Sequence, residues 1–135
     1  MVKVADLLHS EIFAPKDDIF LQGDAASAIY FIKSGSVRIH AETLTGEKVN
    51  IVTLGPGAHF GEMAYADCQP RSATATAMDK AEVVILPYEK LNDLLDKDAE
   101  FGVNFYREMC AYLCSRLRIT TDELGSSKGK IIPHL

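Results

Sequence analysis

One stretch decides how this sequence can be understood: residues 60–74, which read FGEMAYADCQPRSAT. A glycine and a carboxylate stand together near its start, and a proline, an arginine and two small residues follow about ten positions later. Gly61 has no Cβ, so its backbone can come close to a ligand. If residues 61–66 form a short helix, the first N–H groups of that helix lack acceptors and favour an anion.

The arginine of this stretch strengthens the prediction of an anion site. Arg71 offers a planar fork of N–H donors that matches phosphate oxygens, and Ser72 adds a hydroxyl. Glu62 would repel a phosphate in direct contact, so it fits one group further away, as the acceptor for a sugar hydroxyl. These residue types indicate a phosphate beside a ribose. The alternative is a turn with a surface Glu–Arg pair, which contributes little energy.

The same stretch resembles a known family signature. The pattern Phe-Gly-Glu-x-Ala, five intervening residues and Pro-Arg-x-Ala is similar to the phosphate-binding cassette of cyclic nucleotide-binding domains. The resemblance covers roughly residues 10–118. It implies that Arg71 pairs with the cyclic phosphate, that Glu62 takes the ribose 2′-hydroxyl, and that backbone N–H groups complete the site. The expected ligand-binding residues are Phe60, Gly61, Glu62, Met63, Ala64, Arg71, Ser72 and Ala73.

The resemblance also bears on the choice of nucleotide. In the family, a threonine after the arginine is associated with cyclic GMP, because its hydroxyl bridges to the guanine amino group. Ser72 stands at that position, and serine occurs in some cyclic AMP readers, so we expect cyclic AMP with cyclic GMP as the second choice. Apolar side chains on two strands would contact the purine, and the long helix would cap it. The candidates are Ile39, Val49 and Ile51 on the strands and Tyr112, Leu113, Leu117 and Arg118 on the helix.

Short strands separated by turns are expected as far as residue 86. Residues 37–42 alternate between apolar and polar, and Val49, Ile51 and Thr53 alternate with their neighbours on the next strand. Strands of about five to eight residues with frequent turns indicate an all-β sandwich or barrel. The family resemblance narrows this to a mainly β fold, a jelly-roll-like β-roll with flanking helices and a short cassette helix.

Two helices are expected after the roll. Pro87 fits the first position of one helix, and a leucine stripe follows it. After a break at residues 96–98, a long helix should run from about Ala99 to Leu124, with Gly125 as its stop. Its apolar surface is large enough for one face on the roll and another on a partner chain, as in the coiled-coil-like dimers of the family. A single broad apolar face in a monomer is the alternative.

This organisation predicts one domain with a tail. The cyclic nucleotide-binding domain should comprise residues 1–124, with the β-roll at about 10–86 and the C-terminal helices at about 87–124. A short helical segment is expected at residues 3–8, and residues 125–135 should form a flexible tail.

Composition excludes several other classes of protein. The 135 residues carry a net charge of −5 without a basic run, which argues against a nucleic-acid partner. No apolar run reaches the ~18 residues of a membrane span, and the N-terminus lacks a signal-peptide pattern. Cys68, Cys110 and Cys114 form no CxxC pair, so reduced thiols in a cytoplasmic protein are expected.

Catalytic and metal chemistry find little support in the sequence. His59 lies three residues before Glu62, but the His-x-His that begins a cupin-type metal site is missing, so we interpret His59 as a loop residue. Ser72 lacks a glycine elbow and an evident base. No metal, cofactor or enzymatic activity is therefore expected.

The sequence favours a cyclic nucleotide sensor that signals through its C-terminal helices to an unknown effector, by shifting the population of helix positions. Two alternatives remain at this stage. One is a domain of the same fold that has lost its ligand and serves as an interaction module. The other is a cupin-like, metal-dependent enzyme.

Overall fold

The computed structural model describes residues 9–128, without the side chains of Thr120 and residues 123–128. The chain divides into two compact units, one ending at Asp93 and the other beginning at Leu94. The helical segment predicted at residues 3–8 and the tail residues 129–135 lie outside the described residues. Within the described part, no helix has the length and apolar character needed to span a bilayer.

The described part of the N-terminal unit contains eight strands. In chain order they are β1 (His9–Phe13), β2 (Asp18–Phe20), β3 (Ala28–Ser34), β4 (Val37–Glu42), β5 (Lys48–Leu54), β6 (His59–Phe60), β7 (Thr74–Ala77) and β8 (Ala81–Pro87). They pair into two antiparallel sheets, with the orders β1-β8-β3-β6 and β2-β7-β4-β5. Strands distant in sequence are thus neighbours in both sheets, which confirms the predicted β-roll class.

Small residues let the strands of the core pack closely. Ala75 and Ala77 of β7 are almost completely buried. Phe60 lies in the same apolar cluster. Because Phe60 is the last residue of β6, the core fixes the point at which the chain enters the cassette. The cluster comprises Ile32, Val37, Phe60, Ala75, Ala77, Ala81 and Val83.

The predicted alternation on β5 is wrong at one point. Ile39 pairs with Val52, but His40 pairs with Asn50, so β5 carries one extra residue, Ile51, opposite this step. Such a bulge moves the following side chains to the other face of the sheet. Ile51 is 49% exposed, and Val52 rather than Ile51 lies opposite Ile39. Because Ile51 and Val52 are both apolar, the pattern of apolar and polar residues does not reveal the bulge.

The cassette contains a short helix, α1 (Met63–Asp67), which begins two residues later than predicted. Gly61 has a φ of +91°, which is incompatible with a right-handed helix, and Glu62 stands at the N-cap position. The helix ends at Cys68, whose φ of 58° is left-handed.

The helix after β8 is α2 (Tyr88–Lys97), and it starts one residue later than predicted. Pro87 is the last residue of β8, where it pairs with Ala28. A proline is tolerated at a strand end because the missing N–H costs no interior ladder bond. The Tyr88 N–H donates to Ser27 O at 2.8 Å, which ties the start of α2 to the sheet.

The long helix α3 (Ala99–Lys128) begins at the predicted residue but ends later than predicted. The expected break at residues 96–98 is a single residue, Asp98, whose carboxylate accepts from the Phe101 N–H at 3.0 Å and caps the helix. At the other end, α3 continues to Lys128, so Gly125 is not its stop. A glycine inside a helix costs about 1 kcal/mol, which is too little to end a long helix by itself.

Candidate functional site

Gly61 lies where the cassette backbone approaches the arginine most closely. A Cβ at Gly61 would lie 2.8 Å from Arg71 Nη1 and 3.1 Å from Ala28 O. The positive φ of Gly61 disfavours other residues as well. Both the space and the backbone angle therefore favour glycine at this position.

Arg71 is buried, with 6% of its surface exposed, and its guanidinium is held by backbone carbonyls. Nη1 donates to Gly61 O at 2.9 Å, and Nη2 donates to Ala28 O at 2.7 Å. The guanidinium carbon lies 4.1 Å from the centre of the Phe20 ring, a cation–π arrangement. Neutral partners leave the positive charge of Arg71 without a described counterion within salt-bridge distance.

The main chain of Arg71 is fixed from the other side. Its N–H donates to Asp24 O, and its carbonyl accepts from the Gly23 N–H, both at 2.8 Å. The Gln22 N–H donates to Thr74 Oγ1 at 2.9 Å. The loop before β3 therefore anchors the residue that carries the guanidinium.

One nitrogen of the guanidinium has no partner among the described residues. The Arg71 Nε–H is buried and has no hydrogen-bond partner among the described residues. A buried donor without an acceptor carries a desolvation cost. An oxygen of a bound anion would satisfy both this donor and the unpaired positive charge.

Tyr88 joins the site from the first position of α2. Its hydroxyl donates to Gly61 O at 2.5 Å and accepts from Arg71 Nη1 at 3.3 Å. Burial raises the pKa of Tyr88 above its ordinary value of 10.0, and the charge of Arg71 opposes that rise in part. Tyr88 is not among the site residues expected from the sequence, which did not reveal these hydrogen bonds.

Glu62 is buried, with 5% of its surface exposed. One of its carboxylate oxygens lies 3.6 Å from His59 Nδ1. His59 belongs to β6 and pairs with Phe31, so the prediction of a loop residue is wrong. Strand β6 has only two residues, too few for a periodic pattern to reveal it. Among the described residues, no group of three His, Cys, Asp or Glu side chains could hold a metal.

The remaining cassette residues divide by exposure. The side chains of Phe60, Ala64 and Ala73 are buried. Met63 and Ser72 are exposed, and Ser72 directly follows the anchored arginine. The N–H groups of Tyr65 and Ala66 donate to Glu62 O, whereas those of Met63 and Ala64 precede the first helical hydrogen bond.

The candidates for the base pocket lie in both units. Ile39 packs against the core of the N-terminal unit, whereas Val49 and Ile51 on β5 are about half exposed. The candidate caps lie on α3 in the C-terminal unit. Tyr112 and Leu113 are half-buried there, and Leu117 and Arg118 are exposed. The roles of all seven residues stay predictions.

The sequence of this chain is similar to those of known proteins. The family model for the cyclic nucleotide-binding domain matches residues 10–98. The chain is 43% identical over 106 residues to the cyclic AMP receptor protein of Thermus thermophilus, covering 78% of this chain and 47% of that protein. It is 36% identical over 93 residues to the cAMP-dependent protein kinase regulatory subunit of Yarrowia lipolytica, covering 69% and 24% respectively.

A solved structure extends the likeness to three dimensions. The catabolite activator protein of Thermus thermophilus matches with a TM-score of 0.78 at 31% identity, covering 92% of this chain and 58% of that chain. The chain spans about half the length, or less, of these two curated relatives. The family match includes both sheets and the whole cassette. On these grounds the chain belongs to the cyclic nucleotide-binding domain family.

Proposed function

We propose that this domain binds a cyclic nucleotide, with cyclic AMP preferred over cyclic GMP, and acts as a sensor. The observation that carries the proposal is the Arg71 guanidinium, which is buried and fixed and has, among the described residues, neither a counterion within salt-bridge distance nor an acceptor for its Nε–H. A cyclic phosphate supplies one negative charge and oxygens that accept from such donors. Membership of the family and the names of the relatives support the same ligand.

The proposed roles of the cassette residues follow from their positions. Arg71 would bind the phosphate, and the N–H groups of Met63 and Ala64 at the start of α1 would donate to it. Glu62 would accept from the ribose 2′-hydroxyl, since its carboxylate has no described cation other than His59 within salt-bridge distance. Ser72 would add a hydroxyl from the exposed side.

Signalling is proposed to run through the C-terminal helices. Ligand contacts in the cassette would shift the population of helix positions, and a partner or fused effector would respond to that shift. Hydrogen exchange across residues 99–124 tests this step. Equal protection of the free and cyclic AMP-bound protein would rule out the switch while leaving binding intact.

A second copy of the chain is the partner that we propose for α3. Apolar residues on this helix, most of them exposed, repeat with alternating steps of three and four, which is the seam pattern of a two-stranded coiled coil. Val103 is 56% exposed and Leu117 is 63% exposed. The spaced residues are Val103, Tyr106, Cys110, Leu113 and Leu117.

We propose a regulatory rather than enzymatic role, in keeping with the receptor protein and the kinase regulatory subunit that the chain resembles. A cytoplasmic location is proposed because the three cysteines are exposed and free. The rival is an interaction module of the same fold without a ligand. Isothermal titration with cyclic AMP, cyclic GMP and 5′-AMP separates the two.

The sensor predicts binding of a cyclic form and much weaker binding of 5′-AMP. Absence of heat and of thermal stabilisation with all three nucleotides would overturn the proposal and favour the interaction module. A stoichiometric transition metal in the purified protein would favour the cupin-like enzyme instead.

A further inference from the structure

We infer that Tyr88 is a positioning residue for the phosphate-binding arginine, an inference that rests on the proposed function. Its hydroxyl links Arg71 and the Gly61 carbonyl to the first residue of α2. The hydroxyl would set the affinity for the cyclic phosphate through Arg71, without touching the nucleotide itself.

The hydrogen bonds around Tyr88 close a triangle. The hydroxyl has one proton, which it donates to Gly61 O, so its oxygen accepts from Arg71 Nη1. Gly61 O also accepts from Arg71 Nη1 at 2.9 Å, so both lone pairs of that carbonyl are used. Each of the three groups therefore fixes the orientation of the other two.

This triangle decides which donors of Arg71 remain for a ligand. A guanidinium has five N–H donors in a rigid plane. Two protein acceptors take Nη1, the Ala28 carbonyl takes one donor of Nη2, and no described residue accepts from the Nε–H. If the Tyr88 hydroxyl were absent, the Nη1 end would lose one of its two contacts and the plane would be less strictly oriented. A less oriented donor binds phosphate less tightly, because ordering it must then be part of the binding step.

The same region offers a matched control hydroxyl. Tyr65 of α1 lies beside Tyr88, with ring centres 5.0 Å apart in an edge-to-face arrangement. The Tyr65 hydroxyl donates to Asn92 Oδ1 on α2. Tyr65→Phe therefore removes a tyrosine hydrogen bond that also ends on α2 but does not involve Arg71.

The test is isothermal titration of cyclic AMP into the full chain and four variants: Tyr88→Phe, Tyr65→Phe, Arg71→Lys and the double variant Tyr88→Phe/Arg71→Lys. We expect Tyr88→Phe to weaken binding by about three- to tenfold, the equivalent of one net hydrogen bond. Tyr65→Phe should change the Kd by less than about twofold. In the Arg71→Lys background, Tyr88→Phe should also change the Kd by less than about twofold, because the two residues act as one unit. Thermal unfolding of each variant reports whether the fold is intact.

Each outcome has a distinct meaning. An equal loss of affinity from Tyr88→Phe in both backgrounds, or an equal loss from Tyr65→Phe, would show a general structural role and overturn the inference. An unchanged Kd in Tyr88→Phe would also overturn it. Absence of cyclic AMP binding by the unaltered chain would instead overturn the proposed function, so the two failures are separable.

Discussion

Gly61 and Gly57 have nearly the same backbone angle but different surroundings. Their φ values are +91° and +87°, but a Cβ at Gly57 would meet nothing within 4 Å, whereas one at Gly61 would meet Arg71 and Ala28. The two positions therefore separate the cost of a left-handed backbone from the cost of crowding the arginine.

We predict that Gly57→Ala costs about 1–2 kcal/mol of folding free energy, the penalty of a left-handed alanine. Gly61→Ala should cost about 1–3 kcal/mol more, because it crowds a packed site, and it should weaken cyclic AMP binding. Urea unfolding and isothermal titration of both variants provide the measurements. Similar stability and similar ligand affinity of the two variants would contradict this description of the site.

The pKa of Tyr88 leads to a prediction about alkaline pH. Burial raises the pKa in the folded protein, so above pH 10 the unfolded chain releases this proton first. The stability that depends on the protonated hydroxyl is complete below pH 10 and is lost as the pH rises through the folded pKa.

A spectrophotometric titration of tyrosinate should therefore show one tyrosine that ionises late, and Tyr88→Phe should remove that late step. The stability of Tyr88→Phe should also fall less steeply above pH 10 than that of the unaltered chain. A late step that persists in Tyr88→Phe would assign the shifted pKa to another tyrosine.

At the scale of elements, one carboxylate separates two helices. Asp98 ends α2 and caps α3 through the Phe101 N–H. We predict that Asp98→Ala destabilises α3 by about 1 kcal/mol, the usual cost of losing an N-cap. Asp98→Asn should retain most of that stability, because an amide oxygen also accepts, and exposed Asp96→Ala is the control.

Urea unfolding followed by far-UV circular dichroism is the measurement for these three variants. If Asp96→Ala destabilised the protein as much as Asp98→Ala, the effect would come from charge rather than from the cap.

Sequence patterns predicted best the elements that are bounded by turn-forming residues or carry a periodic apolar stripe. Alternating residues bounded by Gly, Pro and Asp turns revealed most strands, and the leucine stripe revealed α2. Three features left no such signal: the two-residue strand β6, the bulge at Ile51 between apolar neighbours, and the continuation of α3 past Gly125.

The residues of the candidate site could also be predicted only in part. Residue type and spacing singled out Arg71 and Glu62, and the structure buries both in the cassette, while their roles toward phosphate and ribose stay predictions. Tyr88 could not be identified, because its partner is the backbone carbonyl of a residue 27 positions away. A sequence pattern shows which side chains are present but does not show which backbone carbonyl will accept a hydrogen bond from a given hydroxyl.

At the scale of the whole molecule, the seam on α3 predicts self-association. Leu117→Glu would place a charge on the seam, whereas Ile119→Glu changes a residue of similar exposure that lies off the seam. We expect sedimentation equilibrium to show a dimer for the unaltered chain and for Ile119→Glu, and a monomer for Leu117→Glu. A monomeric unaltered chain, or equal disruption by both variants, would contradict the seam.

The central claim is that the buried, fixed guanidinium of Arg71 is the receptor for a cyclic phosphate. Titration of cyclic AMP into the unaltered chain and into Arg71→Lys, side by side, tests it most directly, because lysine keeps the charge but loses the planar fork. We predict that the unaltered chain binds and that Arg71→Lys binds more weakly by about 2 kcal/mol, or about 30-fold in Kd. Equal affinity of the two proteins would contradict the claim and place the ligand elsewhere.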